Sequence, residues 1–300
     1  MFRALVTGGS GFIGSNLSIE LERQGYEVIA LDNFSSSNKQ NLVGFKGECI
    51  THDLQSTIRI DKKLDIIFHQ AAITDPRYPN DTEVYQKNVT GFERIIELAQ
   101  INEAKLIYAS TAGLYGNGPI PMQEDQSKIC LSSYAKSKLK MDEMAESLFS
   151  KMHIVGLRYF NVFGPNEASK GRPASMIYHL ALQMKQGKRP RIFKWGEHVR
   201  DHIYVKDVIA ANIKALSGKP GVYNVGTGIG TSFNDLVKVL NLVLKTNLEP
   251  EYFDMPYDPA TYQNNTVADI KKAERLLGFK AKWNLEEAIR DYLNSVAFRG

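Results

Sequence analysis

Short apolar runs alternate with longer stretches whose apolar positions recur every three or four residues. The runs Arg3–Thr7, Glu27–Leu31, Glu48–Thr51, Asp65–His69, Lys105–Ser110 and His153–Arg158 are near-continuous in apolar residues, as strands buried on both faces are. Between them, Phe12–Gln24, Asp81–Asn102 and Tyr134–Ser150 carry the helical period. This alternation predicts an α/β fold: a Rossmann-type, doubly wound parallel sheet whose spacing leaves room for crossover helices. Past about residue 160, Gly164-Pro165, Gly171-Arg172-Pro173 and Gly187-Lys188-Arg189-Pro190 punctuate the chain. Helices are expected at Ala174–Gln186 and near Ser232–Leu244, Ile270–Leu277 and Leu285–Ser295, with a strand at Gly221–Val225. The expected organisation is a dinucleotide-binding half over 1–165, its sheet completed by about 200–226. A smaller α/β substrate half over 166–300 closes over the sheet's C-terminal edge, where open α/β sheets bind ligands.

Composition narrows the function. Of 300 residues, 43% are hydrophobic and 23% charged, which fits a globular protein and excludes a disordered or fibrous one. The net charge of +4 is spread along the chain, without the concentrated basic stripe of a nucleic-acid binder. Cys49 and Cys130 are too few for a disulfide framework or a cysteine-rich metal site, and no metal is expected. No apolar run approaches the roughly 20 residues of a membrane span. The N-terminus enters a motif at once, without the layout of a signal peptide, so a cytoplasmic setting is expected.

Thr7-Gly8-Gly9-Ser10-Gly11-Phe12-Ile13-Gly14 follows the first strand directly. Glycines at 8, 11 and 14 allow a tight turn and close backbone approach to a pyrophosphate, which the N-terminus of the next helix then faces. A glycine turn without a ligand is the alternative. Strand, loop, helix and an acid ending strand two together favour a dinucleotide. That acid, Asp32, suits the adenosine ribose hydroxyls and would repel a 2′-phosphate, favouring NAD. Asn33 and Lys39 follow it, and a lysine able to neutralise a 2′-phosphate leaves NADP open. Asp53, past strand three, suits the adenine amine as well as it suits a plain turn.

Tyr134 and Lys138 sit four apart and share a helix face. A neighbouring ammonium favours phenolate, and a bound, positively charged nicotinamide would add to that, so a tyrosine able to exchange protons near neutral pH is expected. Elsewhere such a pair is a solvated surface contact; after a dinucleotide loop and the strand end Ser110-Thr111, it reads as catalytic.

These features resemble the extended short-chain dehydrogenase/reductases over essentially the whole chain. The resemblance rests on Thr7–Gly14, Asp32-Asn33, His69-Gln70-Ala71-Ala72, Asn88-Val89-Thr90-Gly91, Tyr108-Ala109-Ser110-Thr111, Tyr115-Gly116, Tyr134–Lys138 and Arg158-Tyr159-Phe160-Asn161-Val162-Phe163-Gly164-Pro165. Members modify nucleotide-activated sugars and keep NAD(P) tightly bound. The resemblance implies that Thr111 hydrogen-bonds the reacting sugar oxygen, and that Lys138 holds the nicotinamide ribose and tunes Tyr134. It implies a cofactor groove lined by Gly8, Gly11, Phe12, Ile13, Gly14, Asp32, Asn33, Lys39, Asp53, Leu54, Gln70, Ala71, Ala72, Thr74, Asn88, Tyr134, Lys138 and Val162. It also implies a homodimer or higher homo-oligomer, built on the helices near Asp81–Asn102 and Tyr134–Ser150.

The second half is similar to the ADP-L-glycero-D-manno-heptose 6-epimerases. The likeness lies in Asn166–Gly171, Ala174-Ser175-Met176, Tyr178-His179-Leu180, Arg191-Ile192-Phe193, Arg200–Val208, Tyr223–Gly228 and Tyr262–Asp269. It implies a second catalytic base at Lys170 and substrate contacts at Asn161, Arg172, His179, Phe193, Gly196, Arg200 and Tyr262. A loop lysine desolvated by closure has a lowered pKa and can serve the face of a carbonyl that Tyr134 does not; a solvated loop lysine is the alternative. Arg200 reads as a diphosphate clamp, or as the ion-pair partner of Asp201. Arg172 replaces an expected small residue, and Trp195-Gly196-Glu197-His198 departs from the usual loop. Asp32 with its serine run also resembles the UDP-hexose 4-epimerases. A nucleotide-sugar 4,6-dehydratase needs an acid and a base just after the catalytic hydroxyl; Ala112 and Gly113 stand there instead.

Overall fold

In the computed structural model, strands β1 (Arg3–Thr7), β2 (Glu27–Asp32), β3 (Glu48–Thr51), β4 (Ile66–His69), β5 (Lys105–Thr111), β6 (Ile154–Tyr159) and β11 (Gly221–Val225) form one sheet in the order β3-β2-β1-β4-β5-β6-β11. The residues described are 1–75, 78–256, 258, 262–295 and 298. Every pairing in this sheet is parallel. The order reverses between β1 and β4, a topological switch point of the kind at which open α/β sheets bind ligands.

Helices α1 (Phe12–Arg23) and α5 (Val205–Ala215) pack on one face, and α2 (Asp81–Asn102) and α3 (Ser133–Glu146) on the other. The interior strand residues are apolar on both sides because both faces are covered: Ala4, Val6 and Phe68 meet Leu17 and Leu21, while Leu5, Ile67 and Leu106 meet Phe92, Ile95 and Met141.

The remaining strands and α-helices are β7 (Asn161–Phe163), α4 (Met176–Lys185), β8 (Arg191–Phe193), β9 (Val199–Arg200), β10 (His202–Tyr204), β12 (Thr231–Ser232), α6 (Phe233–Leu244), β13 (Glu251–Phe253), α7 (Lys271–Leu277), which packs against β11 and α5, and α8 (Leu285–Leu293). Their strands pair only in twos: β7 with β10, β9 with β12, β8 with β13.

Three differences from the sequence reading have local causes. Helix α5 is absent from that reading; it follows the strand-like His202–Tyr204 without a turn and starts at Tyr204 without a side-chain cap. Helix α3 stops at Glu146 rather than Ser150, because Leu148 N–H turns back to Ala145 O and Ser147 Oγ donates to Met144 O. The two- and three-residue strands are too short to show a period of two.

Candidate active site

The glycine loop leaves β1 at Thr7 and enters α1 at Phe12. Gly8 has φ +64°, and a Cβ there would sit 2.8 Å from Ala71 N; a Cβ on Gly14 would strike Gly8 O. Gly11 N–H donates to Gly8 O at 2.9 Å, and Ser15 N–H returns to Gly11 O at 3.0 Å. Among the described helices, α1 alone has neither a side-chain cap nor an acid in its first turn; Asn80, Ser132, Ser175, Ser232 and Asn284 cap five of the others. Its first-turn N–H groups and positive dipole end are therefore left for an anion. Ser10 Oγ beside it is buried without a partner among the described residues. This cradle fits the pyrophosphate of a dinucleotide.

Asp32 ends β2 with its carboxylate accepting from Ser10 N–H (2.9 Å), Phe34 N–H (2.9 Å) and Ser37 Oγ (2.8 Å). Asn33 Nδ2 reaches Asp53 at 3.3 Å, both being exposed, and Leu54 packs against Gly91. Lys39 Nζ lies 4.9 Å from the Phe34 ring centroid. Gln70 to Thr74 leave β4 opposite the glycine loop: Gln70 N–H donates to Thr7 O, Ala71 backs Gly8, and Thr74 is exposed. The Gln70 amide belongs to a closed ring: its Nε2 donates to Asn212 Oδ1 at 3.1 Å, Asn212 Nδ2 to Tyr159 Oη at 2.8 Å, and Tyr159 Oη to Gln70 Oε1 at 3.1 Å. Asn88 lies within α2 and is a brace. Its amide accepts from Ile73 N–H and donates to Ile73 O and Ser137 Oγ, which fixes the Ala72–Thr74 segment.

At the C-terminal end of β5, Thr111 caps the turn Ala112–Tyr115, its Oγ1 accepting from Gly113 N–H at 3.0 Å. Ser132 caps α3, so Tyr134 falls on its first turn and Lys138 one turn later. The Lys138 ammonium is 5.9 Å from the Tyr134 ring centroid and donates to Ala109 O at 2.7 Å. The protein's own groups reverse the expected phenol shift: burial pushes Tyr134 up to about 12, against a hydrogen bond to Thr111 that pulls it down. Burial also pushes Lys138 down to about 8, which Asp142 opposes. Burial and the Lys138 charge hold His69, bonded to Thr7 Oγ1 at 2.8 Å, neutral.

Asp142 escaped the sequence reading, although its place four residues after Lys138 on one helix is a legible signal. Its carboxylate accepts from Tyr108 Oη and Arg158 Nε, each at 2.9 Å, and Arg158 Nη1 reaches Tyr115 Oη at 2.9 Å. Tyr115 Oη donates to Asn224 Oδ1 at 2.6 Å, which ties β5, β6 and β11 together beneath the site.

Lys170 ends the turn Glu167–Lys170, with Nζ 5.8 Å from the Phe12 ring centroid at the start of α1. Burial lowers its pKa, while Glu167 and Asp75 resist. The lysine therefore stands beside the glycine loop, and the groups that shift the Tyr134 phenol do not include it.

Val162 pairs with Ile203, and Asn161 Nδ2 donates to Thr266 Oγ1 at 2.8 Å. Arg172 is exposed, and its carbonyl meets His179 Nε2 at 3.2 Å. Phe193 packs edge-on to Phe253 and Tyr262. Gly196 turns tightly against Asn234, N–H to Phe193 O at 2.7 Å. Arg200 is buried between Phe233 and Tyr262, its cation 5.7 and 5.2 Å from their centroids. It donates to the Val199, Asn264 and Gln263 carbonyls and to Tyr262. Asp201 instead accepts from Thr227, Gly228 and Ala268, so the alternative 200–201 ion pair is not formed. His202, also missed, is buried with no described partner on either ring nitrogen, and burial holds it neutral with a pKa of about 3.

A family model described as "NAD dependent epimerase/dehydratase family" matches residues 4–226. The chain is 34% identical over 306 aligned residues to an ADP-L-glycero-D-manno-heptose-6-epimerase of Brachyspira hyodysenteriae, covering 96% of each chain. It is also 34% identical to a putative UDP-glucose 4-epimerase of Methanocaldococcus jannaschii, covering 97% of each. Among solved structures, the Helicobacter pylori ADP-L-glycero-D-manno-heptose-6-epimerase superposes with a TM-score of 0.90 at 37% identity, over 97% of this chain and 95% of that one. Matched by the family model over residues 4–226 and by a relative 34% identical over 96% of its length, the chain belongs to the NAD dependent epimerase/dehydratase family.

Proposed function

We propose that the protein inverts one carbinol carbon of a nucleotide-diphosphate sugar by transient oxidation and re-reduction, and that its substrate is an ADP-glycero-manno-heptose inverted at carbon 6. When bound to the glycine-loop cradle, NAD supplies a two-electron acceptor that is restored within each turnover. Gly8, Gly11, Gly14 and the first turn of α1 hold its pyrophosphate, and Asp32 its adenosine ribose. Tyr134 takes the hydroxyl proton from the carbon being oxidised, and Thr111 donates a hydrogen bond to the same oxygen. Lys138 keeps a positive charge near the phenol, favouring phenolate as the proton leaves.

The observation that carries the heptose reading is Lys170: a half-buried lysine of lowered pKa, on a loop separate from Tyr134 and docked beside Phe12. Two proton-exchanging groups on separate segments suit inversion by a base on each face. The relatives in Brachyspira hyodysenteriae and Helicobacter pylori lend support. Arg200, Phe193 and Tyr262 would receive the nucleotide. Ala112 and Gly113, lacking titratable side chains, speak against a dehydratase.

A UDP-hexose 4-epimerase is the second reading, favoured by Asp32 with its serine run and by the Methanocaldococcus relative. Incubating the purified protein with ADP-heptoses and UDP-hexoses, with NMR of the products, separates the two. The heptose reading predicts inversion of the ADP-heptose; exclusive turnover of UDP-glucose or UDP-galactose would replace it with the second. A homodimer through α2 and α3 belongs to the same proposal.

A further inference from the structure

The chain ties its glycine loop to the Lys170 loop through one side chain outside both. Asn41, in the turn Lys39–Leu42, donates from Nδ2 to Ser10 O at 2.9 Å and to Ser169 Oγ at 2.9 Å. The tie is reciprocal: Asn166 Nδ2 donates to Asn41 O at 3.2 Å and to Ser15 Oγ of α1 at 3.0 Å. Ser169 Oγ in turn donates to Asn166 O at 2.8 Å, and Asn16 Nδ2 of α1 reaches Pro165 O at 2.9 Å.

Ser10 is gripped on both sides, its N–H by Asp32 and its carbonyl by Asn41. Residues 33–42 therefore leave the sheet at the expected ribose site and return to the loop expected to hold the pyrophosphate. There they meet residues 165–170, which arrive from the other half of the chain. The three segments converge around the uncapped start of α1, the position that fits the dinucleotide.

We propose that Asn41 is the clasp that retains the dinucleotide: it joins the glycine loop to the Lys170 loop, so that NAD leaves only when the two part. The proposal rests on NAD binding at the glycine loop, not on the identity of the sugar. It also makes one event of cofactor retention and the placement of Lys170, because Ser169 and Lys170 are adjacent.

The test is the NAD dissociation rate of the loaded protein, measured by dilution into excess unlabelled NAD, together with the nucleotide released on denaturing the purified protein. Asn41→Ala loses both donated bonds and should release NAD roughly tenfold faster, the factor carried by one or two ordinary hydrogen bonds. Ser169→Ala removes the far acceptor of the bridge together with the serine's own bond to Asn166 O, which lies within the Lys170 loop, and should give a smaller acceleration. The double variant should be no faster than Asn41→Ala, because both changes open one bridge. Gln40→Ala, an exposed neighbour in the same turn, should leave the rate unchanged. The clasp is overturned if Asn41→Ala releases NAD at the parental rate, if Ser169→Ala has no effect, if the two effects add, or if Gln40→Ala matches Asn41→Ala. A parent protein that neither carries nor binds NAD would overturn the cofactor reading itself, and the clasp with it.

Discussion

Lys138 Nζ lies 5.9 Å from the Tyr134 ring centroid while bonded to Ala109 O at 2.7 Å, so the strand end fixes the cation beneath the phenol. Burial acts on both groups against their charged forms: the phenol rises to about 12 and the ammonium falls to about 8. At neutral pH an ammonium of pKa about 8 still carries its charge beside a neutral phenol, and further positive charge beside them would tip the phenol toward ionisation.

Tyr134→Phe removes one hydroxyl and keeps the ring. Turnover should fall by about 10²–10⁴, the range of a general acid or base. Melting temperature and NAD content should stay near those of the parent. Steady-state kinetics with calorimetry checks this, and near-parental turnover would remove Tyr134 from the reaction.

Lys170→Ala separates the two substrate readings. With a base on each face, kcat should fall by about 10²–10⁴ and reduced cofactor should build up, visible at 340 nm, because oxidation from the Tyr134 side survives. If a single base serves both faces, the variant alters mainly KM. A kcat within about threefold of the parent takes Lys170 out of the chemistry and favours the UDP-hexose reading, since that margin is far below the acid–base range.

Lys138 predicts how stability follows pH. Its folded pKa of about 8 lies below the ordinary 10.5, so between those values the unfolded chain binds more protons and stability rises with pH. The penalty is fully present below pH 8 and is lost toward pH 10.5. Lys138→Met removes the titrating group. The variant's stability advantage over the parent should therefore shrink by about 2 kcal/mol between pH 8 and pH 10, measured by chemical denaturation. A constant difference across that range would show that Lys138 titrates normally.

The sheet was legible because parallel strands covered on both faces must be apolar throughout, as Ala4–Val6 and Ile66–Phe68 are. The glycine turn and the shared helix face of Tyr134 and Lys138 were legible because turn and helix geometry tie position to spacing. What the sequence hid was long-range. The Gln70–Tyr159–Asn212 ring and the Asn41 bridge to Ser169 join residues more than 50 apart in sequence. The fate of Arg200's donors depends on carbonyls near residue 264. The contribution of burial to the phenol was hidden too, because spacing reports the neighbouring charge and says nothing of burial.

Asp142 and Arg158, each with a side chain 5% exposed, form the buried ion pair behind Lys138. Asp142→Asn leaves the guanidinium without its counter-ion, and breaking such a pair typically destabilises by about 3–5 kcal/mol. Denaturant titration should show the unfolding free energy reduced by that amount. The double variant Asp142→Asn with Arg158→Met should recover part of the loss, and a single variant within about 0.5 kcal/mol of the parent would contradict the role assigned to the pair.

Inversion by oxidation and re-reduction at one carbon is tested by running the reaction in D₂O and following the inverted carbon by proton NMR. The carbon-bound hydrogen is removed and restored through the cofactor without passing through solvent, so the inverted product should retain protium at that carbon while bound NAD is undiminished. Deuterium at the inverted carbon would mean that the bond is broken by proton abstraction, and would contradict the account.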